Sequence, residues 1–445
     1  MNFNGDAPAG FAPNLLRAAL ATHTRQVKGR IKRVIGTLIY ASVPNARLGE
    51  ICALRDVDSG IVTYAEIVGF DDTVAMLSPL HTIAGLSTLT EVTATGRSLE
   101  VAVGDALLGR VLDGYGRALD SDEKGDLPTM EMRSLHRAAP PALSRHVIKR
   151  RFSLGVRAID GLLTCGEGQR VGIYGPPGAG KSLLLAQILQ TAEADVRVLA
   201  LVGERGREVR EFLERHLTAE SRARAVIVVA TSDRSSVERL KAAQTAMTIA
   251  EYFRDRGSKV LLVVDSVTRL ARAIREIGLA AGEPPTRRGF PPSVFTSLPM
   301  LFERAGMAQN GSITALFTVL SEGDAATDPI SEETRSLLDG HIVLTSKLAQ
   351  SGHFPAIDVN ASLSRVMIDV VATEHNAAAQ KIRRLLSKYA EVEFLIQVGE
   401  YKPGNDELAD EAVRKHGAIA SFLRQPFHER ARLEDSVALV QSLAE

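Results

Sequence analysis

The chain has 445 residues, too many for one ordinary core and enough for roughly three structural units. Hydrophobic residues make up 45% and charged residues 24%, a globular composition that excludes a disordered or low-complexity chain. Lys and Arg number 53, as do Asp and Glu, so no net field draws the whole molecule to nucleic acid or acidic lipid, and any such binding must be local.

Residues 1–28 form an N-terminal segment without the charged start and apolar run of a secretory signal, and no stretch of eighteen apolar residues occurs anywhere. A cytoplasmic chain is expected. Residues 15–34 (LLRAALATHTRQVKGRIKRV) are basic and partly amphipathic, either a contact for a membrane surface or a solvated helix leading into the first strand. Cys52 and Cys165 lie far apart and lack metal-ligand spacing, so neither a disulfide framework nor a zinc site is expected.

From 29 to 120, short β-branched runs punctuated by Gly, Asp and Pro (GTLIYASV, GIVTYAEIVGF, TVAMLSP, LEVAVGDALLGRVLD) predict a small β-barrel. Residues 121–151 carry Pro128, Pro140 and Pro141 among charges and read as a linker. From 152 to 372, apolar strands at 169–174, 196–203, 225–230, 259–265, 312–320 and 341–345 alternate with helix-length stretches such as 236–256. This predicts a parallel sheet flanked by helices. Helical periods at 374–397, 406–424 and 433–444 predict an all-helical C-terminal domain over 373–445.

Residues 175–182 read GPPGAGKS, the G-x-x-x-x-G-K-S pattern, directly after an apolar strand and before the helical run SLLLAQILQ. Loop and helix N–H groups can surround phosphates there, while Lys181 reaches the outer phosphates and the Ser182 hydroxyl ligates magnesium. Chance would produce the pattern in roughly 2% of chains this long, before the flanking elements are required. The nucleotide site therefore comprises Gly175, Pro176, Pro177, Gly178, Ala179, Gly180, Lys181, Ser182 and Leu183. Pro176 and Pro177 stiffen the loop and remove two N–H donors.

Binding is not hydrolysis. KVLLVVD ends a buried-looking strand in Asp265, which suits an acid holding the magnesium water shell from the tip of the neighbouring strand. VLALVGERGREVREF puts Glu204 and Arg205 at the C-terminal end of another strand, where ligands of open α/β sheets gather. Glu204 could polarise the attacking water; the cluster Glu204, Arg205, Arg207 and Glu208 could equally be a salt-bridged helix start.

The segments GVRAIDGLLTCGEGQRVGIYGPPGAGKS, LVGERGREVREF, VVDSVTRLARAIREIGLAAGEPPTRRGFPPSVF, GSITALFTVLSEGD and SLLDGHIVL follow one another in order. Together they closely resemble the ATPases of type III secretion systems, the injectisome and flagellar export enzymes related to the catalytic subunits of rotary ATP synthases. The resemblance runs from residue 29 to about residue 430. It implies an N-terminal β-barrel, a RecA-like P-loop ATPase core of α/β class, a C-terminal helical domain and a homo-hexameric ring using ATP and Mg2+.

It also implies roles. Glu204 matches the general base, Arg205 the residue sensing the γ-phosphate, and Arg365 in IDVNASLSRVM the arginine that enters the neighbouring subunit's site. Phe354 in HFPAID and Phe427 in RQPF match aromatic positions packed on adenine, with ordinary interior packing the alternative for both. The implied partners are a central coiled-coil stalk, a peripheral stator or regulator, chaperone–effector complexes and the export gate at the inner membrane, on whose cytoplasmic face the ring would sit. Arg287 and Arg288 in the proline-stiffened loop 282–292 (GEPPTRRGFPP) would face the stalk; a rigid connector with two solvated arginines is the alternative.

An RNA-translocating ring built on the same core would need base-stacking aromatics among Lys and Arg in the first domain, where Tyr40, Tyr64, Phe70 and Tyr115 are widely spread. No nucleic acid is expected. A synthase subunit would carry a DELSEED-type acidic segment where GEYKPGNDELADE stands. Lys181 and Glu204 together argue against a non-hydrolysing regulatory subunit or a purely structural ring component, and TLIYASVPNARLGEICALR leans toward the injectisome branch.

Overall fold

A computed structural model describes residues 27–36, 38–80, 85–321 and 328–445. Most of the basic stretch 15–34 lies outside the described residues. The chain divides into a unit ending at Leu99 and a second beginning at Glu100.

In the first unit, β1 (Gly29–Ile35), β2 (Leu38–Ser42), β3 (Glu50–Arg55), β4 (Val62–Asp71), β5 (Val74–Pro79) and β6 (Glu91–Ser98) close a barrel in the order β1-β2-β5-β4-β3-β6. Alternate residues point inward, so Cys52 and Leu54 of β3 meet Ala65, Ile67, Leu77 and Val92 in a dry core. Closure runs through Gly29, paired with Val92; a Cβ there would stand 1.5 Å from the Ser42 carbonyl oxygen.

The second unit contains β7 (Glu100–Val103), β8 (Val111–Leu112), β9 (Glu131–Ser134), β10 (Arg170–Gly175), β11 (Val196–Val202), β12 (Ala225–Ala230), β13 (Lys259–Asp265), β14 (Gly306–Met307), β15 (Ser312–Leu320), β16 (Gly340–Leu344) and β17 (Ile357–Ser364). Its main sheet has the order β17-β16-β10-β15-β13-β11-β12-β8, parallel except for β17 at one edge and the short β14 beside β15. Strands β11 and β12 are buried at every residue, as expected of a parallel sheet covered on both faces. Helices Lys181–Thr191, Ser236–Asp255 and Val267–Ala280 belong to that cover. The helices Thr373–Gln397, Glu407–Leu423 and Leu433–Ala444 follow the expected periods, and the first packs on the other two and on the short helix Arg157–Leu162.

The barrel ends at Ser98, not at residue 120. β7 pairs with β9 and β8 extends the main sheet beside β12, so the apolar run LEVAVGDALLGRVLD belongs to the second unit. Residues 121–151 are not a free linker. Arg133 pairs with Asp255 at 3.0 Å, Arg137 approaches Glu251 at 3.7 Å and Arg145 meets Glu303 at 3.2 Å, so the charges of this stretch tie it to the body of the second unit.

Candidate active site

The parallel strands deliver Gly175, Val202, Asp265 and Leu320 to the same edge of the sheet, their C-terminal ends. There the chain after β10 turns through the P-loop. The Pro176 carbonyl accepts the Ala179 N–H at 3.3 Å, with Pro177 and Gly178 (φ +81°) at the centre of the turn. Proline followed by a glycine of positive φ is what a type II turn prefers, so Pro177 presets the turn at its second position. Gly180 (φ +82°) then caps the helix Lys181–Thr191, whose first internal bond runs from the Leu184 N–H to the Gly180 carbonyl. The N–H groups of Lys181, Ser182 and Leu183 precede that bond and face outward from the helix end, an arrangement suited to an anion.

Lys181 is 9% exposed, and its Nζ is buried without a hydrogen-bond partner. Burial pulls its pKa down, while the carboxylates of Asp265 and Glu204 work in the opposite direction. A buried ammonium aimed into a glycine-lined loop lacks the anion that would satisfy it, and a polyphosphate fits that need.

A cleft of about 740 Å³ joins this loop to the tips of β11 and β13, lined among others by Lys181, Ser182, Glu204, Arg205, Asp265 and Arg269. Asp265 is 4% exposed and accepts a 2.5 Å hydrogen bond from Thr318 Oγ1. Thr318 lies on β15, which stands between β10 and β13. Asp265 is therefore one strand further from the P-loop strand than the adjacent position expected. Ser182 and Asp265 in one cleft suit Mg2+, which takes few protein ligands and completes its shell with water and phosphate oxygens.

Burial pushes the Glu204 carboxyl up to about 7, helped by the charge of Asp265 and by hydrogen bonding with Glu208, and opposed by Arg269. A carboxylate that exchanges its proton near neutrality is matched to general-base work. Arg269 Nη2 lies 3.3 Å from Glu204 Oε2, and its Nη1 donates to the Gly203 carbonyl. Arg205 is largely exposed at the rim of the cleft and pairs with Glu208 at 3.1 Å, a salt bridge across the helix start, and Glu204 lines the same cleft.

Arg269 and Thr318 were missed from the sequence. Arg269 stands four residues beyond Asp265 in DSVTR, in the first turn of the helix Val267–Ala280, and so reaches back over the strand tip. Thr318 is a hydroxyl within the otherwise apolar end of SITALFTVL, a signal in hindsight.

Three candidates lie outside the cleft. The Arg365 N–H donates to the Asp339 carbonyl, and the Asp339 carboxylate grips Arg170 at the start of β10. Arg365 is thus at the opposite end of β10 from its own P-loop, a separation of about 16 Å at the strand rise. Phe354 stands beside Gly180, where an added Cβ would come 3.2 Å from its ring. Phe427 meets His216 edge-on at 5.9 Å, and the Gln425 N–H two residues earlier donates to the Phe354 carbonyl at 2.9 Å. Both aromatics border the P-loop helix rather than the cleft.

Comparison with known proteins gives three family matches: the ATP synthase alpha/beta β-barrel domain over residues 31–96, the nucleotide-binding domain of that family over 155–364, and the type III secretion EscN ATPase C-terminal domain over 371–442. The chain is 56% identical to a type 3 secretion system ATPase of Sinorhizobium fredii, covering 97% of this chain and 95% of that one. It is 47% identical to a flagellum-specific ATP synthase of Bacillus subtilis, covering 93% and 94%. The assembled ATPase EscN of enteropathogenic E. coli superposes with a TM-score of 0.89 at 48% identity, over 94% of this chain and all of that one. The same ATPase with its central stalk EscO gives a TM-score of 0.86 at the same identity and coverage.

Proposed function

The chain belongs to the ATPases of type III secretion systems, and from that membership we propose that it turns over Mg2+-ATP in a homo-hexameric ring that drives protein export. Glu204 takes the proton of the attacking water. Lys181 and the N–H groups of 181–183 hold the phosphates, Arg205 senses the γ-phosphate, and Ser182 and Asp265 hold Mg2+. The ion, when bound, neutralises charge on the transferring phosphoryl group. Arg269 keeps the Glu204 carboxylate aimed across the cleft.

The observation that carries this reading is the pairing of Lys181, buried with an unsatisfied Nζ, and Glu204, a carboxyl poised at about 7, in one cleft. The remoteness of Arg365 from its own P-loop supports a site completed by the next subunit. Phe354 and Phe427 flank the adenine, beside the P-loop helix.

The ring engages a central stalk, the kind of partner with which the similar EscN is solved; it does so through Arg287 and Arg288, and works at the cytoplasmic face of the inner membrane with a stator, chaperone–effector complexes and an export gate. Among the described residues no helix is long and apolar enough to cross a membrane, which is compatible with peripheral attachment. There the ring releases chaperones and unfolds or feeds substrates. The higher identity to an ATPase named for type 3 secretion than to one named for the flagellum favours an injectisome. The test is export in the source bacterium lacking the gene. Wild-type protein restores secreted substrate to the medium and Lys181→Ala does not, whereas equal export by the two would refute the role of ATP turnover.

A further inference from the structure

Phe427 lies in a stretch with little structure of its own. The helix Glu407–Leu423 ends before it, the next begins at Leu433, and a single turn bond, Glu429 N–H to Pro426 carbonyl, organises the residues around it. Its position must come from tethers elsewhere in the molecule.

Those tethers converge on Arg157, the first residue of the helix Arg157–Leu162. Its Nε donates to the Phe422 carbonyl at 3.0 Å, and its two terminal nitrogens reach the Arg424 carbonyl and the Glu429 carboxylate. Its backbone N–H donates to Gln425 Oε1 at 2.8 Å. Gln425 is 3% exposed and spends both amide hydrogens, on the Gly155 and Glu429 carbonyls, each at 2.9 Å. Its own N–H holds the Phe354 carbonyl.

The other side of this crossing is fixed to the P-loop helix. Asp160, fully buried, accepts the Leu154 and Gly155 N–H groups at 2.9 Å each, which sets the Gly155 carbonyl that Gln425 uses. Thr191, at the end of the P-loop helix, donates to the Leu154 carbonyl at 2.7 Å. Gln187, midway along it, donates to the Pro426 carbonyl at 3.4 Å.

We propose that Arg157 is a positioning residue for the nucleotide base: with Gln425 it latches the segment carrying Phe427, and through it Phe354, against the flank of the P-loop helix. This rests on the reading of the two phenylalanines as base contacts. The latch meets the P-loop helix at Gln187 and Thr191, away from the N–H groups of 181–183, so losing it should loosen the grip on the base and leave the grip on the polyphosphate unchanged. A guanidinium reaches three acceptors in fixed directions where an ammonium supplies one point of attachment, so lysine should restore only part of the effect.

The test is steady-state turnover of the assembled ring, with inorganic tripolyphosphate as a competitive inhibitor lacking a base. Arg157→Ala is expected to raise KM for ATP about tenfold, the order a lost base–aromatic contact costs, with kcat within about twofold and the tripolyphosphate Ki unchanged. Arg157→Lys falls between. Phe427→Ala should match Arg157→Ala, and the double variant should add little, because both remove one contact. If Arg157→Ala does not assemble, Arg157→Lys carries the test with a rise of about threefold. An unchanged KM in a folded variant overturns the proposal, as does a tripolyphosphate Ki that rises with KM, since that would make the latch a general scaffold. If Phe427→Ala and Phe354→Ala both leave KM unchanged, the base-contact reading itself falls, whatever Arg157 does.

Discussion

The Arg269 guanidinium stands 3.3 Å from the Glu204 carboxylate and also holds the carbonyl of Gly203, the residue before it. One arginine therefore fixes both the backbone at the tip of β11 and the carboxylate it presents. It also opposes the burial and the Asp265 charge that raise the Glu204 pKa.

A pH dependence follows, with a definite sign. A general base works ionised, and Glu204 keeps its proton up to about 7 in the free protein, so kcat/KM should rise through neutrality and level off above it. Arg269→Ala removes the neighbour that lowers this pKa, so the rising limb should move to more alkaline pH. A limb that stays in place or moves toward acid would remove Arg269 from this role. The sign for stability is opposite to that of a salt-bridged carboxylate. Folding holds the proton more tightly than the unfolded chain does, so the ionised carboxyl costs stability above its unfolded pKa. Glu204→Gln should melt no lower than wild type at pH 8.

Arg365 lies across the length of β10 from its own P-loop, and the proposed ring assigns it to a neighbour's site. Turnover per subunit should climb steeply with protein concentration, and Arg365→Ala should abolish the climb, lowering assembled activity by about a thousandfold or more. Sedimentation of the variant should still show rings. Dilute monomer as active as the assembly would contradict the account.

The loop bearing Arg287 and Arg288 contains one short turn, Arg287–Gly289, before the helix Pro292–Phe302. Arg287 approaches Glu333 only loosely, at 3.8 Å, and is more than half exposed. Reversing both charges (Arg287→Glu with Arg288→Glu) should leave basal turnover within about twofold, as surface changes usually do, yet abolish stimulation by the stalk protein and export. Surviving stimulation would make the loop a connector and move the coupling surface elsewhere, most directly to the C-terminal helices.

What could be read in advance was local. β10, β13 and β15 lie within a residue of the expected bounds because each is an apolar run between turn residues, and GPPGAGKS is recognisable because its glycines, lysine and serine have separate physical jobs. Pairing between distant segments was not legible. That β15 separates β10 from β13, that Val111–Leu112 joins β12, and that Arg133 and Arg137 bind the helix Ser236–Asp255 all depend on contacts between distant parts of the chain. A short apolar run carries the same pattern in a barrel as at the edge of an α/β sheet. Arg269 escaped notice for a related reason: its chemistry depends on a helix turning it back over the strand it follows.

The central claim is that Glu204 activates water while the P-loop holds the nucleotide, and Glu204→Gln tests it most directly by separating binding from turnover in one protein. The side chain keeps its shape and loses its basicity. Equilibrium binding of Mg2+-ATP should stay within about threefold of wild type, while turnover should fall by about a hundredfold to ten-thousandfold, the range general-base catalysis supplies. Turnover near the wild-type rate with ATP still bound would contradict the account.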